Sequence, residues 1–145
     1  MIQIKQPQSR DDFKAYYDLR YKVLREPWGL AKGTEKDDYE PISQHYMAVD
    51  DQTSEIVGCA KLFEKESGVA WISHLAVTEK RQHQGIGQLL VAHIENIARE
   101  QQFKKIGCLA RLNTTRFFEK EGYRISGLPA HYIGTTQVVW MEKVL

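Results

Sequence analysis

The sequence predicts an α+β fold with a mixed, mostly antiparallel sheet, and three observations carry it. The segments His45–Asp50 and Glu55–Glu64 flank Asp51-Gln-Thr-Ser54, a hairpin by length and turn chemistry. Ser67-Gly68 then turns the chain into a third strand, Val69 to Val77, which is apolar and rich in β-formers. That strand runs through a polar turn, Thr78 to Gln84, into Gly85-Ile-Gly87 and a helical run to Glu100. In that run Ile86, Leu89, Leu90, Ile94, Ile97 and Ala98 follow the 3.6 period of an amphipathic helix.

At 145 residues the chain is expected to form one domain, 1–145, with no room for a second. A net charge of +1, without a basic excess or an acidic tail, gives no reason to expect nucleic acid as a partner. No apolar run approaches membrane-spanning length, and Met1-Ile-Gln-Ile-Lys5 lacks a signal-peptide core, so no membrane partner and a cytoplasmic location are expected. Cys59 and Cys108 lie in apolar, strand-like segments without CxxC spacing and read as buried thiols of a reducing compartment. A catalytic thiol would need a histidine partner, and no metal site is expected.

The remaining elements follow in order. Ile2 and Ile4 alternate with Gln3 and Lys5 as a short first strand. Ser9 or Asp11 offers a cap for a helix carrying Phe13, Tyr16, Tyr17, Val23 and Leu24 and ending before Pro27. Glu26 to Pro41 has no periodicity: turn formers come first, then Glu35, Asp37, Asp38 and Glu40, a loop with one helical turn at most. Gly58, inside the hairpin, marks a bulge or a close approach of another backbone. After the long helix, Lys105–Ala110 is a short strand. Asn113 or Thr114 can cap a helix through Phe117 and Phe118 to Glu121, where Gly122 ends it. Tyr123–Ser126 and Thr136–Val144 are strands, with a loop over 127–134 between them.

Glycines at a helix start let a ligand approach N–H groups that have no intrahelical partner. With the positive end of the helix dipole, these make an anion site suited to phosphate. A tight turn that merely needs small residues is the structural alternative. A Walker loop does not fit, because Gly87 is followed by Gln88 and Leu89, nor does a dinucleotide fingerprint, because Leu90 stands where its third glycine belongs. Gln82-His-Gln-Gly-Ile-Gly87 instead resembles the Gln/Arg-x-x-Gly-x-Gly/Ala loop of the GCN5-related N-acetyltransferases, the GNAT superfamily. Phe117-Phe-Glu-Lys-Glu-Gly-Tyr123 resembles that family's second signature, Phe/Leu-Tyr-Glu-Lys-Leu-Gly-Phe.

The resemblance implies the acyl-CoA N-acyltransferase fold, a sheet of about seven strands with helices on both faces. It implies acetyl-coenzyme A as cosubstrate, with its pantetheine arm along Leu75, Ala76 and Val77 and its phosphates on Gln82, His83, Gln84, Gly85, Ile86, Gly87 and Gln88. Asn113 and Phe118 complete the implied cofactor-binding set. The activity implied is N-acetyl transfer to a primary amine of a small molecule or peptide, with the thioester carbonyl polarised by a main-chain N–H near Leu75 to Val77. A homodimer is compatible with the family.

The catalytic side chains depart from the family pattern. The tyrosine that often protonates the leaving thiolate corresponds to Phe118, and two positions that carry a base in some branches correspond to Trp71 and Ser73. His74 is adjacent, but strand alternation points it to the other face unless a bulge intervenes. Candidate bases are therefore His74, the loop acids Glu35, Asp37, Asp38 and Glu40, His45, or ordered water. Candidate acids are Tyr132, His131 or solvent, and a thiol of pKa about 8.5 can also leave without one. The loop acids also offer attraction for a cationic amine. A coenzyme A-binding sensor or partner protein without turnover is the alternative function, motivated by the missing tyrosine and the unmatched base positions. A longer acyl donor would need an apolar tunnel beside Leu75 to Val77, which the bulk of Trp71 argues against.

Overall fold

The computed structural model describes residues 1–127, 132–133 and 136–145, with positions 132, 133 and 136 described by their backbone alone. Strand β1 (Ile2–Lys5) leads to helix α1 (Arg10–Leu24), then to strands β2 (Gln44–Asp50), β3 (Glu55–Glu66) and β4 (Val69–Val77). Helix α2 (Ile86–Glu100) follows, then β5 (Lys105–Arg111), α3 (Thr115–Lys120), β6 (Arg124–Gly127), β7 (Tyr132–Ile133) and β8 (Thr136–Val144). The strands lie in the order β1-β2-β3-β4-β5-β8-β6, and the two-residue β7 pairs with β8 outside that path. Every pairing is antiparallel except β4 with β5, so the sheet is mixed and mostly antiparallel. Among the described residues no helix is long and apolar enough to cross a membrane.

Local chemistry explains the helix ends. Ser9, rather than Asp11, caps α1 in a capping box: its hydroxyl accepts from the Asp12 N–H, and the Asp12 carboxylate accepts from the Ser9 N–H. Gly122, at φ +94°, follows α3, where the N–H groups of Gly122 and Tyr123 close on Glu119 and Phe118 carbonyls. The aperiodic 26–41 segment contains two 3₁₀ turns, Glu26–Trp28 and Glu40–Ile42, each with a proline near its start.

Two cores form on the two faces of the sheet. Tyr16 and Leu19 of α1 pack with Met47, Val49, Cys59 and Ala76 on one face. Ile86, Leu90, Val91, Ile94 and Ala98 of α2, with Phe118 of α3, pack on the other. The buried stripe of α2 is rotated from the one the sequence predicts: Val91 is inside, while Leu89 is 48% exposed. Gly58 is where α2 comes closest, since a Cβ there would stand 3.0 Å from Leu90 Cδ1. Beside it Val57 is an extra residue, a bulge between Ala48 and Val49 of the partner strand.

The feature that shapes the rest is the parting of β4 from β5. Their parallel pairing covers only Val69–Trp71 against Lys105–Gly107, although both strands continue well beyond. On its other edge β4 bulges: Ser73 pairs with Lys61 and Ala76 with Cys59, so His74 and Leu75 together oppose Ala60. His74 takes φ +53°, the left-handed region. A bulge bends its strand and sharpens its twist, which turns the end of β4 away from β5. The last paired glycine, Gly107, holds the apex, because a Cβ on it would stand 2.5 Å from Cζ3 of Trp71.

That contact generates a prediction. Gly107→Ala is expected to destabilise the fold by about 1–3 kcal/mol in chemical denaturation. The penalty should largely vanish in a Trp71→Ala background, and equal penalties in both backgrounds would show that the indole is not what Gly107 accommodates.

Candidate active site

Where β4 and β5 diverge they open a cleft of about 1080 Å³. Its walls come from Ile72–Val77 on one side and Cys108, Leu109 and Arg111 on the other, and the start of α2 closes one end. Among the described residues, the edge of β4 facing β5 has no strand partner beyond Trp71. It can therefore pair with an extended, amide-containing chain as a further strand would.

At the start of α2 the sequence builds an anion cradle. His83 (φ +65°) and Gly85 (φ +84°) turn the chain tightly into the helix, while Gln82 Nε2 donates to the Val77 carbonyl at 2.9 Å and ties the loop to the end of β4. No side chain caps the helix, so the N–H groups of its first turn stay available for a ligand. The Phe117 ring closes on Gly87, where a Cβ would meet two ring carbons at 3.3 Å. Arg81, Arg116 and Lys120 line the same end, and Arg81 is held by Asp50 at 3.0 Å. An open strand edge beside a basic, glycine-built helix start fits coenzyme A, whose arm carries amides and whose other end carries phosphates.

On the face of α1 the chemistry is different. Two cations that the fold encloses completely, Arg20 and Lys61, flank Glu40. Its carboxylate accepts from Arg20 (2.9 Å), Tyr17 (3.1 Å), Lys61 (2.7 Å) and the Asp37 N–H (3.1 Å). Lys61 also donates to Asp37. Burial works against the Glu40 anion, but the hydrogen bonds from Lys61 and Arg20 prevail and hold its pKa at about 2. Asp37, Glu40 and His74 each bring one ligand atom within 4.8 Å of the others, a spacing a metal ion could bridge. Here Lys61 already supplies positive charge to both carboxylates.

His74 occupies the bulge, and the irregularity brings it into the cleft beside Ser73 despite strand alternation. Its Nδ1 lies 2.7 Å from Ser73 Oγ, and its Nε2 lies 3.3 Å from Arg25. Burial, followed by the positive charges of Arg20, Lys61 and Arg25, pushes its pKa down to about 2. It is a neutral imidazole throughout the physiological range. Burial also lowers His45, and it raises the two thiols, Cys59 to about 11 and Cys108 to about 12, so neither cysteine is a nucleophile near neutral pH.

Leu75, Ala76, Val77, Gln82, His83, Gly85, Ile86, Gly87, Gln88, Asn113, Phe118 and His74 all line the cleft. Gln84 does not: its amide is engaged by Arg81 and the Lys80 carbonyl. Glu35 is buried elsewhere, accepting from the Gly33 N–H at 2.7 Å, and Asp38 is exposed on the loop away from the cleft. Tyr132 lies in β7 with its side chain outside the described residues, and His131 falls outside them altogether. Asp37 is the one carboxylate that reaches the cleft among the described residues. Sequence reasoning missed Lys61 and Arg111. A lysine within the apolar run from Gly58 to Phe63 was the available signal, because an inward-facing charge needs buried partners.

The sequence model of the acetyltransferase (GNAT) family matches residues 11–123. Among solved structures, a candidate N-acetyltransferase of Lactobacillus plantarum superposes with a TM-score of 0.87 at 23% identity, covering 99% of this chain and 98% of that one. A GNAT acetyltransferase of Elizabethkingia anophelis with acetyl-CoA bound gives 0.79 at 23% identity, over 99% and 98%. An acetyltransferase of Bacillus subtilis in complex with CoA gives 0.79 at 20% identity, over 100% and 99%. These likenesses establish a shared acyl-CoA N-acyltransferase fold.

The buried charges generate two predictions. Lys61→Met leaves Asp37 and Glu40 without their shared cation and is expected to cost about 3 kcal/mol or more in denaturant unfolding, with partial recovery in Lys61→Met/Glu40→Gln. The second concerns acid. Below its ordinary value of 6.5, His74 binds a proton only in the unfolded chain, so its contribution is complete above pH 6.5 and is lost as pH falls toward 2. Glu40 adds a loss of the same sign below 4.5. The fall in Tm between pH 6.5 and 4.5 should be shallower in His74→Gln than in the unsubstituted protein.

Proposed function

Because the chain belongs to the acetyltransferase (GNAT) family, whose chemistry is acyl transfer from a coenzyme A thioester, we propose that it moves acetyl from acetyl-coenzyme A to a primary amine by direct attack. The observation that carries this reading is the unpaired edge of β4 running into the glycine-built start of α2. Bound acetyl-coenzyme A supplies the reactive thioester and a thiol leaving group. The chain supplies position and polarity. N–H groups at the α2 start hold the phosphates. A main-chain N–H in the stretch Leu75–Val77 donates to the acyl oxygen and favours the charge that develops there.

The acceptor must present a neutral amine. Asp37 is the carboxylate nearest to that task, with Oδ2 3.9 Å from His74 Nδ1 and Oδ1 engaged by Lys61. With its imidazole held neutral, His74 contributes a hydrogen-bonding wall. Phe118 packs edge-on against both Phe117 and Tyr123 and has no proton to give. The thiolate therefore leaves unassisted or takes its proton from water, as a group of pKa about 8.5 can. Proximity and a polarised carbonyl account for the acceleration.

Calorimetry should detect binding of acetyl-coenzyme A and coenzyme A, and free thiol should appear when amines are added. As the amine deprotonates, kcat/KM should rise with pH, with no inflection near 6.5, because His74 does not titrate there. An inflection near 6.5 that disappears in His74→Gln would make His74 the base and overturn this account. Tight binding without thiol release across amino acids, polyamines and aminoglycosides would instead identify a coenzyme A sensor.

A further inference from the structure

The acceptor side of the cleft carries two guanidinium groups that the transfer chemistry leaves unused. Arg25 stands at the end of α1 and Arg111 at the end of β5, so they approach from opposite sides of the opening. They converge on one atom: the Leu24 carbonyl accepts from Arg25 Nη1 at 3.0 Å and from Arg111 Nη2 at 3.0 Å. Other contacts fix their planes. Arg25 Nε donates to the Thr34 carbonyl at 3.0 Å, and the Arg111 guanidinium lies 4.7 Å from the centre of the Trp28 ring.

Neither group meets a carboxylate within ion-pair distance among the described residues. Of the acids nearby, Glu40 is paired with Arg20 and Lys61 and Asp37 with Lys61, while Glu35, buried and accepting from the Gly33 N–H, offsets part of the charge on Arg25. Lys36 and Lys65 add further positive charge to the cleft wall. Burial first, and then Arg25 itself, lowers the pKa of Arg111; burial and Arg20 lower that of Arg25, with Glu35 and Asp37 opposing them only in part. Like charges held this close in a partly enclosed site repel one another until something supplies a negative charge. The loop acids therefore do not make this a cation site: the balance runs the other way.

We infer that the acceptor is an amine that also carries an oxyanion, carboxylate or phosphate, which Arg25 and Arg111 clamp beside the β4 bulge. The identification rests on the acetyl-transfer reading. Guanidinium forks match the geometry of both oxyanions. Neutral His74 orients the clamp: with Nε2 accepting from Arg25, its proton lies on Nδ1, toward Ser73 Oγ. Leu75 to Val77 begins one residue beyond His74, a distance of ~3–10 Å at the rise of a strand. Amine and anion are then only a few bonds apart, as in a small amino acid.

Thiol release with matched pairs tests the idea: glycine against glycinamide, and O-phosphoethanolamine against ethanolamine. The anionic member of at least one pair should win by about ten-fold or more in kcat/KM, and the pair that does so identifies the oxyanion. Arg111→Gln should collapse that ratio toward one through KM, and Arg111→Lys should restore part of it. Arg111 is the better probe, since Arg25 also holds the loop through Thr34. A measurement free of turnover accompanies this: N-acetylglycine and N-acetylglycinamide, or the N-acetylated phosphate pair, titrated into protein saturated with coenzyme A. The anion should bind about ten-fold or more tighter, and Arg111→Gln should erase the difference. Equal or better use of the neutral amines, or equal loss of both members of a pair in Arg111→Gln, overturns the clamp while leaving acetyl transfer standing. Anion-selective binding in the coenzyme A complex without thiol release from any amine would support the clamp and overturn the transfer reading.

Discussion

Everything in this protein that bears on function depends on two neighbouring parallel strands ceasing to be neighbours. A parallel pair normally stays paired along its length, because unpaired backbone groups inside a sheet are costly. Here β4 and β5 hold together for three residue pairs and then part. The Trp71 ring over Gly107 marks the last contact, and the bulge at His74 and Leu75 turns β4 away. One face of the opening is closed by α2 and α3, the other by α1 and the 26–41 loop. The cleft is thus lined by residues from both sides of the sheet.

The second constraint is electrostatic. A loop carrying Glu35, Asp37, Asp38 and Glu40 would ordinarily stay in water, where unpaired charges are best solvated. Lys61 and Arg20 change that. Burying each charge costs several kcal/mol, and the cost is offset only where the hydrogen-bond geometry is complete. Around Glu40 it is: both oxygens accept two hydrogen bonds. The price of that arrangement is chemical specialisation, because a carboxylate held at a pKa of about 2 by buried cations is a poor proton acceptor. The loop is therefore divided, with Glu40 holding it down and Asp37 facing the cleft.

How far the sequence reveals this depends on which physical signal each part leaves. Strands β1 to β4 and helix α2 are legible because period and turn chemistry are local, and the helix-start glycines are legible because few backbones need them. The bulge at His74 is not: its only sign would have been a residue in the left-handed region, which a histidine does not announce. The ion network is half legible. Acids in the loop were visible as a charge run, but the cations that neutralise them come from α1 and β3, and only the fold brings the three together. That is why the loop reads as an attractor for cations, although two of its acids, Glu40 and Asp37, are paired with buried cations. Arg111 is harder still, since nothing local to β5 shows that it will meet Leu24 of α1.

These constraints act on one another. The same bulge that opens the cleft turns His74 inward, where burial, reinforced by the buried cations that anchor the loop, keeps that histidine neutral. A protonated His74 could not accept from Arg25, so the guanidinium would lose the contact that aims it along the cleft. The left-handed backbone at His74 therefore serves geometry twice, bending the strand and seating the imidazole. Phe118 has no proton to give, and what lines the cleft instead is fixed charge and fixed backbone. Those are the groups that need no reorganisation as reaction proceeds.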